Sequence, residues 1–149
     1  MELNSPELAK AMFLQMPFLE KLGIKIAYVE KGKARVELPF DISNTNHLGT
    51  IHAGALYTLA ETGGGLVITS AATSADVIGV AKSGFIKYKK PAKGMIYIEE
   101  EVDPEWVAEK FNQALTGGKA DIPFTVHIRD EDGDVVAEVE FVYHIRKRA

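Results

Sequence analysis

The sequence predicts an α+β domain in which an antiparallel sheet packs against one long apolar helix. The first observation is the segment 51–70, which is too long and too rich in Ala and Leu for one strand. The second is a set of six shorter segments in which apolar and polar residues alternate roughly as in half-buried strands. The third is the length of 149 residues, which suits one domain with a single core; there is no repeat, low-complexity tract or linker.

Each predicted element has boundary signals. Residues 5–22 are predicted to be helical, because Ser5 and Pro6 resemble a helix cap, Pro17 interrupts the run and Gly23 ends it. A third helix, residues 105–115, is predicted after Asp103-Pro104. The first two strands and the last two strands are each joined as a hairpin. The six predicted strands are residues 24–30, 34–40, 77–88, 95–102, 120–129 and 135–146.

Three consecutive glycines, Gly63, Gly64 and Gly65, lie in the middle of the long helix. Each costs roughly 1 kcal/mol relative to Ala in a helix. We interpret them as a packing surface that another backbone approaches closely. Six strands cannot surround one helix completely, so we expect a second copy of the chain to cover the glycine-rich side. The sequence therefore predicts an obligate symmetric dimer.

Composition excludes several kinds of chemistry. The chain has no cysteine, which rules out thiol nucleophiles, disulfides and zinc–cysteine sites. None of the four histidines forms a His-x-x-x-His pair, so no metal site is predicted. Phosphate-binding and dinucleotide motifs are absent, so no cofactor is predicted either. A net charge of −4 argues against nucleic acid as a partner.

The expected compartment is the cytoplasm. No run approaches the roughly 18 to 20 apolar residues that span a bilayer, so no membrane partner is expected. Residues 1–10 carry Glu2 and Glu7 and lack the basic start and apolar core of a signal peptide.

Glu61 is the single charge between residues 54 and 68 of the long apolar helix. Burying an unpaired carboxylate costs several kcal/mol, so this group must find partners or shift its pKa. One interpretation is a structural Glu bonded to a nearby backbone amide. The other is a catalytic carboxylate.

The segment from Asn46 to Glu61 resembles the active-site segment of hotdog acyl-CoA thioesterases of the phenylacetyl-CoA type. Their pattern is Asn-x-x-Gly-x-x-His-Gly-Gly with an acid nine residues after the His. The matching residues here are Asn46, Gly49, His52, Ala53, Gly54 and Glu61. The chain departs from the pattern twice, with Ala53 for the first Gly and Glu for the commoner Asp. The resemblance also covers residues 79–94. More narrowly, residues 57–61 and the Lys-Pro-Ala-Lys-Gly segment at 90–94 look like a small bacterial branch of these proteins.

The resemblance implies a hotdog fold, a curled antiparallel sheet wrapped around one long central helix, and hydrolysis of an acyl-CoA-type thioester to an acid and a thiol. The Ala53 N–H would be the main donor to the thioester carbonyl, with the Gly54 amide beside it. Glu61 would be the general base on water or the direct nucleophile, and both roles stay open.

Helix geometry constrains this site. His52 and Glu61 are nine residues apart, so on one helix they lie about 13.5 Å apart along the axis and about half a turn out of phase. One chain cannot easily aim both at one carbon. We therefore expect Asn46, His52 and Ala53 of one subunit to act with Glu61 of the other. Pairing of two dimers into a tetramer is implied by the resemblance only.

Four further side chains have both a functional and a structural interpretation. Asn46 would orient water or the carbonyl, or form a loop turn. His52 would bond the thioester region, or cap the helix. Tyr57 would line the acyl pocket, or belong to the core. Some relatives hold water with a Ser or Thr at the position of Ala81, so Ser83, two residues on and expected to face the same way, is a candidate.

Lysines cluster where the chain leaves the third strand, at Lys87, Lys89, Lys90 and Lys93. Lys90 and Lys93 are assigned to the phosphates of coenzyme A. The alternative is a solvated strand end that discourages edge pairing.

Two other functions compete with hydrolysis. One is a non-catalytic hotdog protein that binds an acyl-CoA or another apolar ligand. The other is a hotdog hydratase or dehydratase, which ranks low because the motifs of those enzymes are absent.

Overall fold

The computed structural model describes residues 6–149. The predicted cap residue Ser5 lies outside this range. The helices are α1 (Pro6–Leu14), α2 (Pro17–Leu22), α3 (Ala53–Ser70) and α4 (Pro104–Gly117), with one 3₁₀ turn at Ile42–Asn44. The strands are β1 (Lys25–Glu30), β2 (Lys33–Leu38), β3 (Val77–Tyr88), β4 (Ile96–Glu101), β5 (Lys119–Asp130) and β6 (Val135–Lys147).

The predicted boundary signals act where expected. Gly23 ends α2 with φ 80°, a left-handed conformation that glycine adopts without strain. Asp103 caps α4, since its carboxylate accepts a hydrogen bond from the Glu105 N–H, and Pro104 occupies the first turn. Strand β2 ends at Leu38, two residues earlier than predicted, because Pro39 has no N–H for the ladder.

The six strands form one antiparallel sheet in the order β1-β2-β4-β5-β6-β3. The sheet curls around α3, whose fully buried Leu59, Ala60 and Val67 belong to the core. This is the predicted α+β architecture of a curled sheet around a central helix. No helix in residues 6–149 combines the length and the apolar character needed to cross a membrane.

Helix α3 has two unlike sides. The sheet side contains Leu59, Gly63, Gly64 and Val67, all buried. The open side is only partly covered; its members are Thr58, Glu61, Thr62, Gly65 and Thr69.

The glycines do not form the dimer surface that the sequence suggested. A Cβ at Gly63 would lie 2.6 Å from the Ile98 side chain, and one at Gly64 would lie 2.5 Å from the Tyr143 hydroxyl. Both glycines therefore pack against the sheet of the same chain, so their presence is no argument for a second copy. Gly65 differs, because a Cβ there would meet only one atom of Tyr143, at 3.9 Å.

The expected orientation of Ser83 is wrong. Ala81 pairs with the buried Tyr143 and shares its helix-facing side of the sheet, but a β-bulge follows before Ser83. Ser83 then pairs with Val142 on the opposite face, and Gly84 takes the helix-facing position opposite Phe141. Because the bulge contains one extra residue, Ser83 faces away from the side that Ala81 occupies, although residues two apart in a regular strand share a side.

Candidate active site

The first turn of α3 leaves one backbone donor free. His52 caps the helix, because its Nδ1 accepts a hydrogen bond of 2.8 Å from the Gly54 N–H. The amides of Ala55 and Leu56 both donate to the His52 carbonyl. Within the described part of the chain the Ala53 N–H has no acceptor. The Ala53 N–H and the positive end of the helix dipole are therefore both directed at the space in front of the helix.

The loop before α3 uses the Asn46 side chain internally. Its Oδ1 accepts from the N–H groups of Leu48 and Thr50, and its Nδ2 donates to the Thr50 hydroxyl at 2.8 Å. Gly49 has φ 75°, a conformation that suits glycine. Asn46, Gly49 and His52 thus belong to a turn that leads the chain into the helix cap. The hydrogen bonds of the Asn46 carboxamide are made inside that turn.

Glu61 is half-buried on the open side of α3. Burial raises the pKa of its carboxyl. No side chain in residues 6–149 forms a hydrogen bond or ion pair with this carboxylate. Its backbone carbonyl, by contrast, accepts a hydrogen bond of 2.8 Å from the Tyr143 hydroxyl. The helix is held to the sheet at this residue while the carboxylate stays available.

An apolar cavity of about 400 Å³ adjoins Glu61. Its walls come from α1, the second half of α3, the first half of β3 and the second half of β6, with Phe111 of α4 contributing. In α1 the buried residues are Ala9 and Phe13, whereas Met12 is 54% exposed. Met12 and Met16 border the cavity, which explains two large apolar side chains that the core does not use.

Tyr57 lies one turn before Glu61 on α3. Its ring contacts Phe141 edge-to-face, with centroids 5.6 Å apart. Its half-burial, with the nearby charge of Glu61, raises the pKa of its hydroxyl. A Cβ at Gly84 would lie 2.5 Å from that hydroxyl. Tyr57 therefore packs between the core and the carboxylate.

The two assigned lysines lie in different environments. The Lys90 ammonium forms ion pairs of 2.9 Å with both Asp130 and Asp134, which raise its pKa. These aspartates and Asp132 form the one group of three acidic residues among the described residues whose carboxylate oxygens lie within 4.8 Å of one another. Lys93 is exposed and has no partner within residues 6–149.

Lys93 also lies near the start of α3. The carbonyl of the preceding residue, Ala92, accepts a hydrogen bond of 2.9 Å from the Ile51 N–H. The Tyr88 hydroxyl, which the sequence argument missed, donates to the Ala53 carbonyl at 3.3 Å. The segment after β3 thus lies beside the mouth of the helix.

The predicted residues fall into two groups in one chain. His52, Ala53, Gly54 and Lys93 lie at the mouth of α3, whereas Glu61 and Tyr57 lie farther along it. Ala53 and Glu61 are eight residues apart, or about 12 Å along the helix axis. Ser83 belongs to neither group. The cavity residues of α1 and Gly65 were missed, because helical spacing alone does not separate a core face from a cavity wall.

Comparison with known proteins gives consistent matches. A family model described as "Domain of unknown function (DUF4442)" matches residues 6–145. A Pseudomonas aeruginosa structure, described as a protein of unknown function and "Probable Thioesterase", has 33% identity, covers 95% of each chain and has a TM-score of 0.86. The Escherichia coli PaaI protein from the phenylacetic acid degradation operon has 18% identity, covers 95% of this chain and 94% of its own, and has a TM-score of 0.70. At that identity the likeness to PaaI is one of fold.

A curated protein from Halobacterium salinarum also matches, under the name "Putative esterase". It is 31% identical over 88 residues, which is 56% of this chain. The match spans 58% of the length of that protein.

Proposed function

Because the chain belongs to the DUF4442 family and has the hotdog fold of the thioesterase superfamily, we propose that it hydrolyses an acyl-CoA-type thioester to a free acid and a thiol. The Pseudomonas aeruginosa structure is described as a probable thioesterase, which fits the hydrolysis of thioesters in general. The observation that carries the proposal for this chain is the Glu61 carboxylate, which is half-buried, unpaired within the described residues and beside an apolar cavity.

The proposed reaction places the thioester carbonyl against the free Ala53 N–H of one subunit and the acyl chain in the cavity of the other. Glu61 takes a proton from water, the water oxygen attacks the carbonyl carbon, and the developing oxyanion accepts a hydrogen bond from the Ala53 N–H. The C–S bond then breaks, and the thiolate takes the proton from Glu61. Direct attack by Glu61 through a mixed anhydride uses the same groups.

A site shared between two copies is part of the proposal. Ala53 and Glu61 of one chain are about 12 Å apart along α3, too far to act on one carbon. Strand β3 is an edge of the sheet, and its exposed residues include Val80 (67%) and Phe85 (59%). A long edge with apolar side chains favours pairing with another strand. We infer that two copies join at β3 around a two-fold axis, so that the open side of each α3 faces the other.

Lys93 is the lysine that we assign to the coenzyme A phosphates. No carboxylate within residues 6–149 pairs with its ammonium. Lys93 directly follows Ala92, whose carbonyl accepts a hydrogen bond from the Ile51 N–H just before α3. The Lys90 ammonium is held by two aspartates, so a phosphate would have to compete with both. Lys93→Ala is therefore expected to raise KM for an acyl-CoA more than Lys90→Ala does.

Glu61→Gln tests the proposal with little change in shape. We expect kcat/KM for an acyl-CoA to fall by about 100-fold or more, the usual contribution of a general base. Glu109→Gln, on the exposed face of α4, is the matched control and should leave the rate unchanged. Release of free thiol is the measurement, over aryl-, short- and long-chain acyl-CoAs.

Two results would contradict the proposal. One is a Glu61→Gln variant that is as active as the parent. The other is a parent protein that binds an acyl-CoA without hydrolysing it, which would favour the non-catalytic binding function. The bonding of the Asn46 carboxamide inside its own loop is the observation that favours this second function, because it withdraws one candidate for orienting water.

A further inference from the structure

Within its own chain, Gly65 has no packing reason to be glycine. Gly63 and Gly64 each lie where a Cβ would come closer than 3 Å to a side chain of the sheet, but at Gly65 a Cβ would make only ordinary contact. Its backbone is helical, so no unusual φ requires glycine. Glycine inside a helix nevertheless costs roughly 1 kcal/mol relative to Ala. The helix therefore has an open position at Gly65 in spite of this cost.

The space above Gly65 is the cavity beside Glu61. Gly65 follows Glu61 by four residues and so lies one turn further along the same side of α3. Both residues line the cavity, which continues past Thr69 to Ala72. A side chain larger than hydrogen at Gly65 would project into the cavity between the carboxylate and its far end.

We propose that Gly65 keeps open an acyl channel, which runs from Glu61 beneath α1 to Ala72 and accepts a linear aliphatic acyl chain of medium length. This inference rests on the proposed thioesterase function and adds the class of acyl group. The channel lies along the helix axis, so its length is set by α3. Its helical stretch, the eight residues from Glu61 to Thr69, spans about 12 Å, and Ala72 lines it beyond the end of the helix.

An extended chain of single bonds advances roughly 1.2 Å per bond, as an extended polypeptide does over its three bonds per residue. The helical stretch therefore accommodates roughly eight to ten carbons beyond the carbonyl. Met12 of α1 and Met16, which follows that helix, form part of its outer wall. Unbranched thioether side chains adapt to a flexible alkyl chain. A stretch of about 12 Å is longer than a single aryl ring fills, so an extended aliphatic group occupies more of it.

The test is a series of straight-chain acyl-CoAs from two to fourteen carbons, with phenylacetyl-CoA beside them. For the parent protein we expect kcat/KM to rise up to a chain of about eight to ten carbons, by about fourfold for each CH₂ buried. Gly65→Leu should lower the octanoyl-to-butyryl ratio of kcat/KM by at least about 30-fold, because several methylenes lose their place. Gly117→Leu is the matched control: Gly117 ends α4, nothing lies within 4 Å of its added Cβ, and the ratio should not change.

A second variant places the obstruction at the far end. Ala72→Leu should move the preferred chain to a shorter length, and it decides the matter if Gly65→Leu fails to fold. A parent profile that is flat or highest for phenylacetyl-CoA overturns the proposal. So does a Gly65→Leu variant that loses butyryl- and octanoyl-CoA hydrolysis equally.

Failure of the channel can be told apart from failure of the thioesterase function. If the parent hydrolyses acyl-CoAs without regard to chain length, hydrolysis stands and the channel is wrong. If no acyl-CoA is hydrolysed, titration of decanoic acid into the parent and into Gly65→Leu decides the channel alone. Binding at least about tenfold weaker in the variant supports it, and equal affinity overturns it.

Discussion

The two sides of α3 use the same small residues for different purposes. On the sheet side, Gly63 and Gly64 allow Ile98, Val126 and the Tyr143 hydroxyl to approach the helix backbone. On the open side, Gly65 borders a cavity, and Glu61 has no partner within the described residues. A glycine that is needed for contact and a glycine that leaves space are neighbours in sequence, and only their direction from the helix separates them. Substitution at each should therefore change stability with opposite sign.

The largest expected effect on stability is at Gly64. Gly64→Ala should lower the free energy of unfolding by about 1–3 kcal/mol, because the new methyl group overpacks the buried contact with Tyr143 and Val126. Urea unfolding at fixed protein concentration measures it. A gain in stability, as for Gly→Ala in an exposed helix, would contradict this prediction. It would show that Tyr143 and Val126 can move to make room for the methyl group.

A smaller loss is expected when the bond between sheet and helix is removed. Tyr143→Phe deletes the hydroxyl that donates to the Glu61 carbonyl and should cost about 0.5–1.5 kcal/mol. Tyr88→Phe is the matched control, since its longer bond to the Ala53 carbonyl is exposed, and a change within about 0.5 kcal/mol is expected. Thermal and urea unfolding of the two variants should rank them in this order. Equal losses would contradict it.

Gly65→Ala should act in the opposite direction. The backbone is helical and a methyl group has room, so a gain of roughly 0.5–1 kcal/mol is expected. The measurement is the same unfolding experiment as for Gly64→Ala. A loss comparable to that of Gly64→Ala would mean that Gly65 also lies in a close contact, and the two sides of the helix would not differ as described.

The smallest expected effect is the pH dependence that Glu61 adds to stability. Burial raises the pKa of its carboxyl in the folded protein above the unfolded value, so the folded state binds the proton more tightly. Its contribution is fully present below the unfolded pKa and is lost as pH rises through the folded pKa. Glu61→Gln should therefore gain stability relative to the parent as pH rises from about 4 to about 8. A difference that is constant with pH would contradict this.

Local signals in the sequence were sufficient for most of the fold. Pro17, Gly23 and Asp103 act through their own backbone or through a neighbour in sequence, so their effects can be predicted without the tertiary structure. The length and apolar character of residues 51–70 likewise predicted α3. The bulge after Ala81 gave no such signal, because it depends on how β3 pairs with β6, and the orientation of Ser83 was wrong for that reason.

The candidate site was predictable in its residues but not in their partners. Glu61 stood out because a charge in an apolar helix is costly wherever the helix lies. The occupation of Lys90 by Asp130 and Asp134 could not be predicted, because these aspartates are about forty residues away in sequence. The direction of each glycine in the Gly63–Gly65 run depends on the helix rotation, which is set by the sheet.

The bulge in β3 also divides the strand into two stretches that differ in whether odd-numbered or even-numbered residues face the helix. Before Lys82 the odd-numbered residues, such as Gly79 and Ala81, face the helix; after it the even-numbered residues, such as Gly84 and Ile86, do so. A saturation scan along this strand should show sensitivity that alternates with one parity up to Lys82 and with the other beyond it. Deleting Lys82 would remove the unpaired residue and let Ser83 follow Ala81 directly, so the strand would alternate regularly along its whole length while every remaining side chain kept the face that it has now.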